Sequence, residues 1–265
     1  MKLWGGRFAG ATDKFAEDFQ SSIGFDQRLY AEDIEGSMAH AAMLGKQGII
    51  SESEAMQIKE GLLQVKQDIE AGLVVFDVAA EDIHMNIEQL LTKKLGPLGK
   101  KLHTARSRND QIAVDLRLWL RKQIIVMEES LRELIKVLLA KAEQHQDTVM
   151  PGYTHLQIAQ PITFAHHLLA YVQMFDRDIS RLQDCVARMN ECPLGCGALA
   201  GTTFPIDREQ TARALNFAAP TANSLDGVAD RDFALEFMAD SAIIMMHLSR
   251  FCEEIVIWNS HEYGF

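Results

Sequence analysis

The feature that most constrains the fold is a long run of apolar residues at helical spacing in the middle of the chain. Between about Asp110 and Gln146 these residues follow one another at intervals of three or four, at Ile112, Leu116, Leu120, Ile124, Met127, Leu131, Leu134 and Leu138. Such spacing puts them on one face of an α-helix. At 1.5 Å per residue, 30 helical residues extend for about 45 Å. A helix of this length exceeds a small domain and favours an extended bundle.

Two more segments of the chain read as long helices. One is predicted from Pro161 to about Asn190 and the other from about Asp230 to Ser260. The last of these, with the stretch "FMADSAIIMMHLSRF", is apolar around much of its circumference. A helix of that kind belongs inside a bundle or at a subunit interface, which favours oligomerisation.

Shorter helices are predicted before residue 97. The stretch "SESEAMQIKEGLLQVKQDIEAG" opens with the capping-box pair Ser51 and Glu54, and Gly72 is the expected stop. Other short helices are expected at about 26–45, 81–95 and 207–217. We therefore predict an all-α fold with a small N-terminal helical domain, residues 1–105, and a long-helix domain, residues 106–265.

The charge balance excludes some classes of partner. With 26 basic and 37 acidic residues the formal net charge is −11, which disfavours non-specific binding to nucleic acid or anionic membranes. No stretch reaches the roughly 18 apolar residues of a membrane span, and "MKLWGGRFAG" does not resemble a signal peptide. We expect a cytoplasmic protein that binds neither nucleic acid nor membrane.

The cysteines and glycines do not predict a metal or a cofactor. Cys192 and Cys196 are close together, but no second Cys/His pair follows at zinc spacing. The stretch "CPLGCGALAGTTFPIDRE" lacks the patterns of a dinucleotide site and of a P-loop, so we do not expect it to cradle phosphate. Reduced thiols, buried or in a loop, are the expected state of the four cysteines.

The loop "HTARSRNDQ" stands where the longest predicted helix begins. Ser107, Arg108 and Asn109 lie at a helix N-terminus, which favours an anion. Arg108 could bind a carboxylate with two hydrogen bonds, and Asn109 could donate from its amide. The alternative is that Asn109 or Asp110 only caps the helix, and local sequence leaves both readings open.

The stretch "MPGYTHLQIAQP" is too specific for a plain connection between helices. Pro151 and Pro161 stiffen its backbone, and Thr154 stands beside His155. Imidazole titrates near neutral pH, so His155 is a candidate general acid or base. A single histidine in a turn is more often only a hydrogen-bonded loop residue. Elsewhere, Ser22 could bind a ligand or cap a helix, and His84 reads as a structural histidine.

Taken together, these stretches resemble one family of proteins. "WGGRF", "EDIHMNIE", "TARSRNDQ", "MPGYTHLQIAQP", "GALAGTTFPIDRE" and "NSLDGVADRDF" are similar, in this order, to motifs of the argininosuccinate lyase family. That family belongs to the fumarase and aspartase superfamily and includes the δ-crystallins of some eye lenses. The resemblance covers essentially the whole chain, and "SRNDQ" with "MPGYTHLQ" is specific to the argininosuccinate branch.

The resemblance implies a reaction and a set of roles. The reaction is the reversible elimination of fumarate from argininosuccinate, which leaves arginine. His155 matches the catalytic histidine, and Ser22, Asn109 and Thr154 match substrate-binding residues. Arg108 and Ser107 are expected beside the substrate carboxylates. The family forms homotetramers with a central helical bundle, and each active site takes motifs from three subunits.

One family motif has no counterpart in this sequence. The mobile loop G-S-S-x-M-P-x-K-x-N-P, which supplies the serine usually assigned as the base, is expected shortly after "EEIVIWNSHEYGF". We therefore expect the chain by itself to be inactive, or nearly so. Three alternatives stay open: a δ-crystallin-like structural protein, another lyase of the superfamily such as adenylosuccinate lyase, and a helical assembly module.

Overall fold

The computed structural model describes Phe15 and residues 19–265, so the "WGGRF" motif lies outside the described part. These residues fall into two compact units. The first unit holds the residues up to Trp119 together with 190–230, and the second holds 120–189 together with 231–265. Helices dominate both, which confirms the all-α class. The domain division after residue 105 stays a prediction.

The helices predicted from the sequence occur in the expected order, and further short helices and strands lie between them. In chain order they are α1 (Ile23–Asp26), α2 (Tyr30–Lys46), α3 (Glu52–Glu70), α4 (Ile83–Leu95), α5 (Pro97–Lys100), α6 (Arg108–Gln144), β1 (Val149–Thr154), β2 (Gln157–Thr163), α7 (Phe164–Met189), β3 (Glu191–Cys192), α8 (Arg208–Ala214), β4 (Ala219–Pro220), α9 (Ser224–Ala229) and α10 (Asp232–Trp258). Short 3-10 segments occupy Gln27–Leu29, Val78–Ala80 and Lys101–His103.

The first unit is built around the packing of α2, α3 and α4. Their apolar faces meet in a core that includes Ile34, Leu44, Ile58, Leu62 and Leu91, each at most 1% exposed. The predicted caps of α3 are confirmed, since Ser51 and Glu54 form a capping box and Gly72 has φ 70° just after the helix. Burial of this apolar surface is the main stabilising contribution.

The predicted apolar stripe of α6 is confirmed, because all eight of its residues are buried or half-buried. The first turns of the helix differ from the rest. There the fully buried side chains include the carboxylates of Asp110 and Asp115 alongside Val114 and Leu118. Buried charges require partners, so the start of α6 is a polar region inside the first unit.

In the second unit α7 packs antiparallel to α10. Phe164 lies against Trp258 and Tyr171 against Phe251, with ring centroids 5.6 and 4.8 Å apart. Further along, the buried Asp178 accepts a hydrogen bond from His247 at 2.7 Å. Several apolar side chains of α10 remain exposed, at Leu235, Met238, Met245, Met246 and Val256. Among the residues described, no helix has both the length and the apolarity needed to cross a membrane.

The stretch "MPGYTHLQIAQP" differs from its prediction. It was expected to be a stiff turn with a helix starting at Pro161, but it forms the antiparallel hairpin of β1 and β2, and α7 starts at Phe164. Pro151 and Pro161 stand opposite each other in this hairpin. Proline has no N–H to donate, so it is tolerated in so short a sheet, where both strands are edges. Largely exposed strands carry little apolar alternation, which explains why the sequence did not reveal them.

Candidate active site

The N-terminus of α6 is capped by the side chains of Ser107 and Asp110. The backbone N–H of Asn109 donates to Ser107 Oγ at 3.3 Å, and the N–H of Ser107 donates to Asp110 Oδ1 at 3.0 Å. This is the reciprocal pattern of a capping box. The capping reading offered for Asp110 is thus confirmed, and Ser107 shares the cap. Arg108 and Asn109 occupy the first turn between them.

The second oxygen of Asp110 binds a distant loop. Asp110 Oδ2 accepts hydrogen bonds from the backbone N–H groups of Gly195 and Gly197, both at 2.9 Å. Burial raises the pKa of the Asp110 carboxyl, while these two N–H groups and that of Ser107 act in the opposite direction. Asn109 binds the same loop, since its Nδ2 donates to Ala198 O at 2.8 Å. The "SRND" and "GALAG" motifs therefore lie in contact.

Ser22 and Arg108 meet at the corner formed by Glu81 and Asp82. The N–H of Ser22 donates to Glu81 O at 2.9 Å, and Arg108 Nη1 lies 3.0 Å from Asp82 Oδ2 and 3.6 Å from Glu81 Oε2. Ser22 Oγ donates to Asp26 Oδ2 at 2.5 Å. Glu81 has φ 66°, a left-handed conformation that is strained for a residue with a side chain. These two carboxylates could not be recognised from the sequence as partners of Arg108.

Beneath this corner lies a buried ion cluster. His84 Nδ1 is 2.5 Å from Asp33 Oδ2 and 3.3 Å from Asp115 Oδ2, and all three residues are at most 4% exposed. Burial opposes the charged imidazole, but hydrogen bonds to Asp115 and Asp33 raise the pKa of His84 to about 10. Burial acts against Asp33 as well, yet the hydrogen bond and charge of His84 lower its pKa. Burial and the Asp33 carboxylate raise the pKa of Asp115 to about 8.

The donor atoms of this cluster lie within 4.8 Å of one another, so they must be tested as a metal site. Two tetrahedral zinc ligands lie about 3.3 Å apart, given bonds of about 2.0–2.1 Å. The 2.5 Å between His84 Nδ1 and Asp33 Oδ2 is the separation of a hydrogen bond. A shared proton fits this distance, and the structural reading of His84 agrees with it. Its partners, however, are Asp33 and Asp115 rather than the neighbouring Asp82.

Arginine supplies the second cation near the cluster. Arg106 is 9% exposed, and its Nη1 donates to Ser37 Oγ at 2.9 Å. Its charge lowers the pKa of both Asp33 and Asp115, after the larger effects of burial and of His84. Burial and the Arg106 charge also lower the pKa of His40 to about 3, so His40 is neutral and donates to Thr104 O at 2.9 Å.

In the second unit Thr154 and His155 form the tip of the hairpin. Thr154 pairs with Gln157, leaving His155 and Leu156 as a two-residue loop with φ values of 53° and 57°. Two successive positive φ values define a type I′ turn, which usually takes Asn-Gly. Side chains at both positions cost about 1 kcal/mol each. The strain fixes the exposed imidazole of His155 at the tip of the hairpin.

The hairpin borders a cavity of about 510 Å³ within the second unit. Its lining includes Thr154, His155, Arg250 and the ion pair of His167 with Glu254. The sequence does not reveal this pair, because it does not show that α10 brings Glu254 to α7. The cavity therefore offers both acidic and basic groups beside His155.

The six residues with predicted roles are thus divided between the two units. Ser22, Ser107, Arg108 and Asn109 lie in the first, and Thr154 and His155 lie in the second. The four residues of the first unit contact two groups. Ser22 and Arg108 contact Glu81 and Asp82, whereas Ser107 binds Asp110 and Asn109 binds the same loop as Asp110. Asp110 and Asp82 were not among the predicted site residues, although both stand where a helix cap is expected from the sequence.

The His84 cluster should make stability fall as the pH rises. The folded pKa of about 10 exceeds the unfolded value of 6.5, so the contribution of His84 is complete below pH 6.5 and is lost as the pH passes 10. Asp115 acts in the same direction. Urea unfolding between pH 6.5 and 10 should show a decline to which His84 alone contributes up to about 1.4 kcal/mol per pH unit. His84→Gln should flatten the decline, whereas His166→Gln, at an exposed histidine, should not; equal slopes in all three proteins would contradict the assignment.

The strain at the hairpin tip gives a second prediction. Leu156 and Ile158 are similarly exposed, at 71% and 75%, but only Leu156 has a positive φ. Leu156→Gly relieves strain, whereas Ile158→Gly only adds chain entropy to the unfolded state. The free energy of unfolding of Leu156→Gly should exceed that of Ile158→Gly by about 1–2 kcal/mol in urea titrations. Equal losses in the two variants would show that the turn is not strained.

Comparison with known proteins identifies the family. The model of a family described as "Lyase" matches residues 6–265. Argininosuccinate lyase of Heliobacterium mobile is 67% identical over 264 residues, and that of Desulforamulus reducens is 66% identical over 265. Both alignments cover 100% of this chain and 58% of the relative, so the chain spans a little over half the length of these curated relatives.

Solved structures agree with this result. EDDS lyase in complex with formate superimposes with a TM-score of 0.83 at 32% identity, over 96% of this chain and 51% of that one. Fumarate lyase from Mesorhizobium sp. BNC1 gives 0.75 at 25% identity, over 96% and 59%. The resemblance and the helical fold expected from the motifs are confirmed. With a family match that spans nearly all of its residues, the chain belongs to this lyase family.

Proposed function

We propose that the chain carries substrate-binding and catalytic residues of an argininosuccinate lyase, which eliminates fumarate from argininosuccinate and leaves arginine. The observation that supports this best is the contact of the "SRND" and "GALAG" motifs through Asp110 and Asn109. Relatives that carry the name argininosuccinate lyase, at 58–67% identity, support the same substrate.

The chemistry makes specific demands on the site. A base must remove a proton beside a carboxylate, and an acid must protonate the departing guanidinium nitrogen. Donors must also stabilise the negative charge that collects on that carboxylate. In this proposal His155 takes part in proton transfer. Thr154, Ser22, Ser107 and Asn109 supply hydroxyl and amide hydrogen bonds to the substrate.

Arg108 has a more constrained role than the sequence suggested. Its guanidinium already lies against the carboxylates of Asp82 and Glu81. A substrate carboxylate must either bind the other N–H groups of the Arg108 guanidinium or compete with these two anions. The pairing fixes the guanidinium in one orientation, which favours planar, two-bond recognition of a carboxylate.

A binding panel tests the proposed substrate. The purified chain should bind argininosuccinate in preference to adenylosuccinate and aspartate, as measured by isothermal titration calorimetry. Asn109→Ala and Thr154→Ala should weaken binding about tenfold each, since each removes a hydrogen bond of about 1.4 kcal/mol to a charged group.

The control for this panel is Asn223→Ala, which removes an amide that caps α9. It should leave affinity unchanged. Preference for adenylosuccinate would favour that branch of the superfamily. No binding to any of the three compounds would overturn the proposal and leave the assembly-module reading. Turnover by the chain alone, expected to be absent or very low, stays a prediction.

We also propose self-association of this chain, as a homotetramer in the intact protein, and a cytoplasmic location. The support for association is the exposed apolar row on α10, formed by Leu235, Met238, Met245, Met246 and Val256. Contiguous exposed apolar surface of this kind is typical of a protein interface. A second copy of the chain would cover it through helix packing.

Charge placed on α10 should reduce association. Met245 and Met56 are equally exposed, at 62%, but only Met245 lies on the apolar row of α10. Met245→Glu should shift sedimentation equilibrium toward monomer, because a carboxylate buried at an interface carries a desolvation cost. Met56→Glu, on α3, should leave the association unchanged. An equal effect of both substitutions, or none, would exclude α10 as the interface.

A further inference from the structure

The glycine loop "GCGALAG", residues 195–201, binds an anion that belongs to the chain itself. Two of its N–H groups, of Gly195 and Gly197, point at one oxygen of Asp110, both at 2.9 Å. The other oxygen accepts from the N–H of Ser107 at 3.0 Å. Asp110 is fully buried. Its carboxylate is therefore bound by three backbone donors inside a backbone nest of the kind that captures anions elsewhere.

The backbone of this loop requires glycine. Gly195 has φ 100° and Gly197 has φ 63°. A Cβ atom at position 197 would lie 2.6 Å from the carbonyl oxygen of Gly201, closer than non-bonded atoms approach. Only glycine allows both N–H groups to converge on a single oxygen here. The glycines thus explain the motif without any phosphate ligand.

The loop is also held from its other side. Arg208 Nη2 donates to the carbonyl oxygen and to Oγ1 of Thr221, both at 2.9 Å, and lies 3.2 Å from Cys196 Sγ. Cys196 in turn lies 3.2 Å from Thr221 Oγ1. These contacts fix the position of the loop. The hydrogen bonds between the loop and Asp110 in turn fix the start of α6 against it.

Asn109 reaches the same loop and is exposed to solvent. One hydrogen of its amide nitrogen is used in the bond to Ala198 O at 2.8 Å. Because the amide group is planar, this bond also fixes the direction of the second N–H and of the carbonyl oxygen. Both of these atoms are then oriented before a ligand arrives, which lowers the entropic cost of binding.

We propose that Asp110 is a positioning residue for substrate binding: by joining the glycine loop to the first turn of α6, it fixes Ser107 and Asn109 in the orientation that binds argininosuccinate. This assignment rests on the proposed function. Asp110 is buried and does not touch the ligand. Its effect on affinity is exerted through Asn109 and Ser107.

A double-mutant cycle tests this claim on the full chain. Asp110→Asn keeps the shape of the side chain but replaces one acceptor oxygen with a donor that faces backbone N–H groups. It should weaken argininosuccinate binding about tenfold. The losses of binding free energy should not be additive. The double variant Asp110→Asn/Asn109→Ala should bind argininosuccinate at most about twofold more weakly than Asn109→Ala alone. Additive losses, or unaltered affinity in Asp110→Asn, would overturn the proposal.

The matched control is Asp207→Asn, the same change at the cap of α8 in the same unit. Asp207 accepts from Gln210 N at 2.8 Å, and asparagine caps a helix about as well as aspartate. Affinity should be unaffected there. A general loss of stability would instead appear in both variants and would be additive with Asn109→Ala.

Nuclear magnetic resonance separates failure of this proposal from failure of the proposed function. If the unaltered chain does not bind argininosuccinate, the function fails. The positioning claim is then decided by the amide resonances of Ser107 and Asn109, which shift in Asp110→Asn if the claim holds and stay in place if it is wrong. If Asp110→Asn does not fold, hydrogen exchange in the unaltered chain decides, because rapid exchange at Gly195 and Gly197 contradicts the nest and slow exchange supports it.

Discussion

The buried hydrogen bond between the His84 imidazolium and Asp33 is the interaction on which the site in the first unit depends. It joins α2 to α4, and the approach of Asp115 to the same ring nitrogen adds α6. Charges at this depth are stable only in mutual contact, because each would otherwise face a low-dielectric interior. The positive charges of His84 and Arg106 offset the Asp33 carboxylate and counteract the burial that raises the pKa of Asp115. This balance fixes where α6 lies against the other helices.

The position of α6 then decides what the residues of its first turn can reach. Asp110, five residues before Asp115, contacts the glycine loop, and Arg108 contacts Glu81 and Asp82. The core of α2, α3 and α4 lies beside this polar region and supplies most of the apolar burial. Apolar packing thus stabilises the unit, whereas buried polar contacts orient the residues predicted to bind substrate. Such contacts are directional, which apolar packing is not.

Much of the fold could be predicted from the sequence because its signals are local. The eight apolar residues of α6 recur at helical spacing, and the Ser51 cap and Gly72 stop are short patterns. The hairpin was missed because its strands are largely exposed and are spaced by prolines rather than by alternating apolar residues. The observed hairpin still agrees with the expectation that this stretch is stiff. Thr154 ends β1, and His155 lies next to it in a short, strained type I′ turn.

The site was predictable in part, and for a similar reason. Motif resemblance identified Ser22, Ser107, Arg108, Asn109, Thr154 and His155, whose roles stay predictions. The partners that position them lie far away in the sequence, such as Gly195 for Asp110 and Asp33 for His84. Spacing along the chain carries no information about contacts of this range. The glycine loop shows the consequence, since its pattern did not reveal the internal carboxylate that it binds.

A crystal structure of the chain grown with argininosuccinate would show whether the first turn of α6 binds the substrate. We expect the ligand to lie against this turn, with a carboxylate within hydrogen-bond distance of Asn109 Nδ2 or Ser107 Oγ, and the Asp110 contacts to Gly195 and Gly197 to be unchanged. A ligand that lies elsewhere while Ser107 and Asn109 face solvent would contradict it.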